Sequence, residues 1–202
     1  ICDDAYFGLL YEEGLLNESL FARLVDLHEN ILAVKIDGAT KEEYAWGFRV
    51  AFVTFGGKNL TPETLEAFEQ KTAGAIRGNI SNCCHLSQSL ILNLFESETY
   101  EEEKKSSYHI LQDRYDKVRS VLGANEERFS PYFKPLPFNS GYFMCIELAE
   151  NIDSEQVRQI LLEKYDTGII ATGKLIRIAF SSIGKSQIPK LFENIFEACQ
   201  SF

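Results

Sequence analysis

The run FRVAFVTFG, residues 48–56, is apolar at most positions on both of its faces. Side chains of a strand alternate between the two sides of the sheet, so such a run is expected where both sides are covered. Ahead of it lies a second run, ILAVKID (31–37), alternating and β-branched, which also reads as a strand. Behind it, Thr61-Pro62-Glu63 opens a helix with a cap and a first-turn proline, expected to continue to about Arg77 with Gly78 as the stop. Strands that alternate with helices of this kind define an α/β chain.

The remaining segments keep that pattern. NESLFARLVDLHEN (17–30) is a helix opened by Asn17 or Ser19, with Leu20, Leu24 and Leu27 at helical spacing. Residues 82–97 form an apolar helix. Residues 99–125 form a long charged one, with Tyr108, Leu111, Tyr115, Val118 and Leu122 along one stripe and Gly123 at its end. That helix is long enough to bridge two lobes. FSPYFKPLPFNSG then holds three of the five prolines and marks the entry to a new unit. After it come a strand (YFMCIELA), a helix opened by Asp153 or Ser154, two short strands (GIIATG and LIRIAFSS) and a closing amphipathic helix with Ile188, Leu191, Ile195 and Phe196 on its apolar side.

A formal charge of −10 over 202 residues excludes a surface built for nucleic acid or anionic membrane, both of which need clustered Lys and Arg. No apolar run approaches a membrane span, and no signal peptide is visible. The five cysteines, Cys2, Cys83, Cys84, Cys145 and Cys199, form no C-x-x-C pair, and the odd count fits reduced thiols in a cytoplasmic protein. Ile1 and Cys2 run directly into Asp3 and Asp4. This reads as the last residues of a strand with acids at its carboxyl end, so a larger protein is expected, with its missing part upstream.

Several residues carry possible chemistry. Lys41 follows the flexible run Asp37-Gly38-Ala39-Thr40 and stands eight residues before Arg49. An amine attacks a carbonyl carbon only when neutral, and an ordinary lysine has a pKa of about 10.4. Burial or a nearby cation lowers that value, whereas Glu42 and Glu43 would raise it if they faced the amine. Taken alone, Lys41 reads as a solvated surface lysine. Arg49 and Arg177 each fall inside an apolar strand run, where an unpaired guanidinium is costly. Each calls for an anion: a carboxylate of the same chain, a phosphate at Arg49, or a substrate carboxylate gripped at two points by Arg177. Asp3 and Tyr6 lie at a strand's carboxyl end, where α/β sheets place ligands. There they could meet a protonated ring nitrogen and a ring oxygen, or be no more than a capping Asp and a core Tyr. Cys83 and Cys84 beside His85 have poor geometry for a closed zinc site and read as a buried helix start.

Taken together, DDAYFGL, TKEEYAWGFRVAF, FNSGYFMCIEL and LIRIAFS, in that order, resemble the carboxyl-terminal part of fold-type I, pyridoxal-phosphate-dependent aminotransferases of classes I and II. The resemblance implies residues 1–100 as the trailing part of a large cofactor domain, 101–123 as a bridging helix and 124–202 as a small α/β domain. It implies pyridoxal 5′-phosphate as cofactor, an amino acid and a 2-oxo acid as substrates, and a homodimeric parent protein. Carried over, Asp3 pairs with the pyridinium nitrogen and Tyr6 bonds the ring oxygen. Thr40 stands where a serine is common, Lys41 bonds the cofactor aldehyde, Arg49 grips the phosphate and Arg177 holds the substrate α-carboxylate. Gly38 departs from the family's usual hydroxyl residue, and Ala51 from a frequent glycine. The family's phosphate-cradling loop, stacking aromatic and ring-bonding asparagine have no counterpart in the 202 residues, so the chain alone is expected to be inactive or nearly so. Elimination at sulfur and decarboxylation share the same motifs; a non-catalytic binding module is the other alternative, and the presence of Asp3, Lys41, Arg49 and Arg177 together argues against it.

Overall fold

The computed structural model describes all 202 residues, which divide into two compact units, Ile1–Ser107 and Tyr108–Phe202. The first unit carries β1 (Cys2–Asp3), α1 (Leu20–Val25), β2 (Ala33–Gly38), α2 (Ala39–Glu42), β3 (Ala51–Gly56), α3 (Pro62–Asn79), α4 (His85–Phe95) and the beginning of α5 (Tyr100–Ala124). The second carries the rest of α5, then α6 (Glu126–Phe129), β4 (Phe133–Pro135), β5 (Met144–Leu148), α7 (Ser154–Tyr165), β6 (Ile170–Thr172), β7 (Leu175–Ile178) and α8 (Ile188–Cys199). No helix is long and apolar enough to cross a membrane.

In the first unit a three-stranded sheet runs in the order β1-β2-β3. β1 is parallel to β2, with Asp3 opposite Ile36, and β3 is antiparallel to β2, with Ala51 opposite Gly38. One end of this sheet therefore gathers the chain leaving β1, the α2 turn leaving β2 and the residues entering β3. α1 starts at Ser19, whose Oγ accepts from the Phe21 N–H at 3.1 Å. It lies close on the far end of β3: a Cβ at Gly56 would stand 2.6 Å from Val25 and 2.8 Å from Phe21. α3 is capped by Thr61 as expected, and Phe68 on it stacks on Phe55 at 5.0 Å.

The second unit is a four-stranded antiparallel sheet, order β4-β5-β7-β6, packed with α5, α7 and α8. Its core joins Ile146 and Leu148 of β5, Ile176 and Ile178 of β7, Val157 and Leu161 of α7, and Phe192 and Ile195 of α8. Arg128 forms a two-point ion pair with Glu193 and lies 4.1 Å from the Phe196 ring centroid.

The structure departs from the sequence-based expectation in several places, and the first helix covers only Leu20–Val25 of the expected 17–30. The strand containing Arg49 begins only at Ala51, and residues 51–54 are exposed rather than covered on both sides. α3 runs through Gly78 to Asn79, and α5 through Gly123 to Ala124, because neither glycine is needed in a left-handed conformation there. Two short elements, α6 and β4, lie within the turn-rich entry. Cys83 and Cys84 are exposed, not buried, and no group of His, Cys, Asp and Glu side chains could hold a metal ion.

Candidate active site

The candidate site lies at the carboxyl ends of β1 and β2. Asp3 ends β1, is exposed, and its Oδ1 accepts from the Ala5 N–H at 3.3 Å. Asp4 extends the ladder through its N–H to Ile36 O at 3.0 Å and accepts from Ser19 Oγ at 2.5 Å, which ties the chain leaving β1 to the start of α1. The chain then turns: Leu9 N–H reaches Tyr6 O at 3.2 Å, with Gly8 at φ +84°. An L side chain at Gly8 would be strained, and its Cβ would stand 3.7 Å from Glu42 Oε1.

α2 is a single turn that leaves β2 at Gly38 and carries Ala39, Thr40, Lys41 and Glu42. The expected loop at Lys41 is thus one helical turn. The Lys41 ammonium lies 5.6 Å from the Tyr6 ring centroid, so the amine and the phenol, 35 positions apart in sequence, share one face of the sheet end. Lys41 and Thr40 are half-buried. Burial pushes the Glu42 carboxyl above the usual range, so this neighbour of Lys41 holds its proton more firmly than a surface glutamate does.

Glu43 is the residue that sequence reasoning missed. Its side chain is 8% exposed, and both oxygens are taken: Tyr100 Oη donates to Oε2 and Lys104 Nζ to Oε1, each at 2.7 Å. Lys104 Nζ also donates to Tyr100 Oη at 3.1 Å. Burial works to lower the Lys104 ammonium, but the bonds to Glu43 and Tyr100 outweigh it and raise it above the ordinary lysine value. Nothing local in the sequence marks this cluster, because its members lie 57 and 61 positions apart.

Arg49 stands two residues before Ala51, the partner of Gly38, and so at the same end of the sheet as Lys41. It is exposed and left-handed at φ 54°. Arg49 takes no part in the ion pairs Arg23–Glu18, Lys35–Asp37 and Lys104–Glu43 of this unit. It lines an open cleft of about 410 Å³ with Phe52, Cys84, Gln88 and Ile91, a concavity that Asp3, Tyr6 and Lys41 do not line. Strand pairing thus brings Asp3, Tyr6, Thr40, Lys41 and Arg49 to one sheet end, while Arg49 faces a concavity of its own.

Arg177 belongs to the second unit, on β7 opposite Cys145. It is exposed, and its guanidinium lies 4.6 Å from the Phe143 ring centroid, a stacking that orients the planar fork. Arg177 takes no part in the ion pairs Arg128–Glu193, Arg158–Glu155, Lys174–Glu150 or Lys185–Asp113 of that unit.

This α/β architecture is found in solved structures. No family model and no curated protein matches the chain. Among solved structures, the α-aminoadipate aminotransferase of Thermus thermophilus, complexed with N-(5′-phosphopyridoxyl)-L-leucine, aligns at TM-score 0.75 and 20% identity, over 98% of this chain and 49% of that one. An aminotransferase from Anaerococcus prevotii aligns at TM-score 0.75 and 24% identity, over 98% and 46%. The kynurenine aminotransferase of Pyrococcus horikoshii, in complex with PMP, aligns at TM-score 0.74 and 17% identity, over 98% and 47%. The chain has the fold of these aminotransferases over nearly all its residues and spans about half of their length.

Proposed function

We propose that the chain is part of a pyridoxal-phosphate-dependent aminotransferase that exchanges an amino group between an amino acid and a 2-oxo acid. The observation that carries this is the approach of the Lys41 amine to the Tyr6 ring at a sheet end that also bears Asp3 and Arg49, within an aminotransferase fold. The donor set suits a phosphorylated pyridine aldehyde: a carboxylate for the ring nitrogen, a phenol for the ring oxygen, an amine for the aldehyde and a guanidinium for the phosphate.

When bound, the cofactor supplies an electron sink for charge developing at the substrate Cα. Asp3 holds the proton on the ring nitrogen. Tyr6 would bond the ring oxygen, and Thr40 precedes Lys41 in the same turn. Lys41 would hold the aldehyde carbon, and its Nζ, when free, would be the base that takes the proton from the substrate Cα. Arg49 binds the phosphate, and Arg177 binds the α-carboxylate with the two parallel bonds its fork allows. By itself the chain is expected to turn over little, because its short sheet leaves much of a cofactor enclosure unbuilt. The parent protein is read as a homodimer, and as cytoplasmic in keeping with the free thiols of this chain.

The test is near-visible absorbance of the parent protein with pyridoxal phosphate, with and without Lys41→Ala, followed by product analysis. The reading predicts a band that needs Lys41 and amino-group transfer to a 2-oxo acid. A band indifferent to Lys41→Ala sinks the assignment of the lysine, and release of ammonia in place of transfer sinks the reaction.

A further inference from the structure

We propose that Glu43 is a positioning residue, clamped by Tyr100 and Lys104, which anchors the Lys41 turn to the first two turns of α5 and keeps the Lys41 amine at Tyr6. The inference rests on the reading of Lys41 given above.

The turn that carries Lys41 cannot hold itself. α2 has four residues, too few to repay the entropy of starting a helix. Tyr44, just after it, is held at φ 56°, a left-handed conformation that a non-glycine residue keeps only where its surroundings impose it. Two restraints flank Lys41. On one side, Ala39 packs with Val50 and Ile91, and Ala45 and Leu94 lie against that cluster. On the other side stands Glu43.

Tyr100 and Lys104 are four apart on a helix, so they present their polar atoms on one face and meet the two carboxylate oxygens together. A partly buried pair of this kind contributes little net stability, because desolvation offsets attraction. What it does set is position. Each oxygen has one short donor, and any shift of the turn leaves a charge unpaired in a half-buried place. The bond between Lys104 and Tyr100 closes the cluster and leaves Glu43 a single favourable seat.

The experiment compares the unaltered chain with Lys104→Met, Tyr100→Phe and the double variant Glu43→Gln/Lys104→Met. Hydrogen exchange of residues 39–45 is measured by mass spectrometry, with α7 and α8 as internal references. In the same samples Lys41 is modified by a small acetylating reagent and, separately, by pyridoxal phosphate trapped with borohydride. Lys104→Met is expected to raise exchange at 39–45 about tenfold, the size of one charge-assisted hydrogen bond, with no change in α7 or α8. Tyr100→Phe, which removes only a hydroxyl, should raise it less. The double variant should regain most of the protection, since an amide keeps a bond to Tyr100 and no charge is stranded. Trapping of pyridoxal phosphate at Lys41 should fall about tenfold in Lys104→Met while acetylation holds or rises, because a small reagent needs only an accessible amine.

Unchanged exchange at 39–45 in Lys104→Met overturns the proposal, as does trapping that falls in step with acetylation. If the unaltered chain shows no preference for Lys41 over its other lysines, the cofactor reading fails, and the exchange data still decide whether Glu43 anchors the turn.

Discussion

At the scale of single residues, the placement of the candidate site was legible where it depends on local order and illegible where it depends on distant pairing. DDAY and TK could be read because strand ends and turns are local, and the structure brings Tyr6 and Lys41 to 5.6 Å, ring centroid to ammonium. Arg49 was placed inside a strand because its neighbours are apolar. Phe48 instead closes a turn on Ala45 at 3.1 Å, and the chain passes through a left-handed Arg49 before pairing begins. The cysteines show the same limit. An apolar sequence context suggested burial, yet Cys83 and Cys84 are exposed while Cys2 and Cys199 are buried. Titration with a chromogenic disulfide is therefore expected to find two fast thiols, absent from a Cys83→Ser/Cys84→Ser variant. Cys84 should react at lower pH than an ordinary thiol, because the Ser87 hydroxyl and backbone stabilise its thiolate. A fast phase that survives the double substitution would contradict this exposure pattern.

At the scale of elements, the tail of the second unit was readable in full as strand, helix, strand, strand, helix, since its caps and periods agree. Asp153 accepts from Gln156 N–H at 2.9 Å and starts α7. Asp153→Ala is expected to cost about 1 kcal/mol in urea unfolding. β4 was hidden because three residues carry no period, and Pro135 is tolerated there only because β4 is an edge strand. On α8 the stripe read from sequence included Leu191, which is half-buried, and left out Phe192, which is fully buried. Phe192→Ala should cost about 3–5 kcal/mol, measured the same way. Cys199, farther along the same helix, has its thiol pushed up to about 12 by burial. Its folded-state value is raised, so its contribution to stability is complete below the ordinary thiol range near 9 and is lost as pH climbs towards 12. Over that window Cys199→Val should flatten the fall in stability by up to about 1.4 kcal/mol per pH unit, relative to the unaltered chain. Parallel pH profiles for the two would show that this thiol does not titrate with unfolding.

At the scale of the whole molecule, the two units are unequally buried. Of thirty buried apolar side chains, seven lie in the first unit and twenty-three in the second, although the units are similar in length. Of twenty large exposed apolar side chains, sixteen lie in the first, Phe52 and Val53 on opposite faces of β3 among them. The sequence reading of β3 as a strand covered on both faces is not met: its residues 51–54 are exposed. The first unit is accordingly expected to lose hydrogen-exchange protection at lower urea than the second, and simultaneous loss would contradict that. The central claim is that Lys41 is the amine of a cofactor site whose phosphate end is Arg49. The most direct measurement is site-resolved mass spectrometry of the chain after borohydride reduction with pyridoxal phosphate, which quantifies all twelve lysines. Modification concentrated at Lys41, and reduced about tenfold there by Arg49→Ala, is the predicted result. Modification spread over the lysines according to exposure, unmoved by Arg49→Ala, would contradict it.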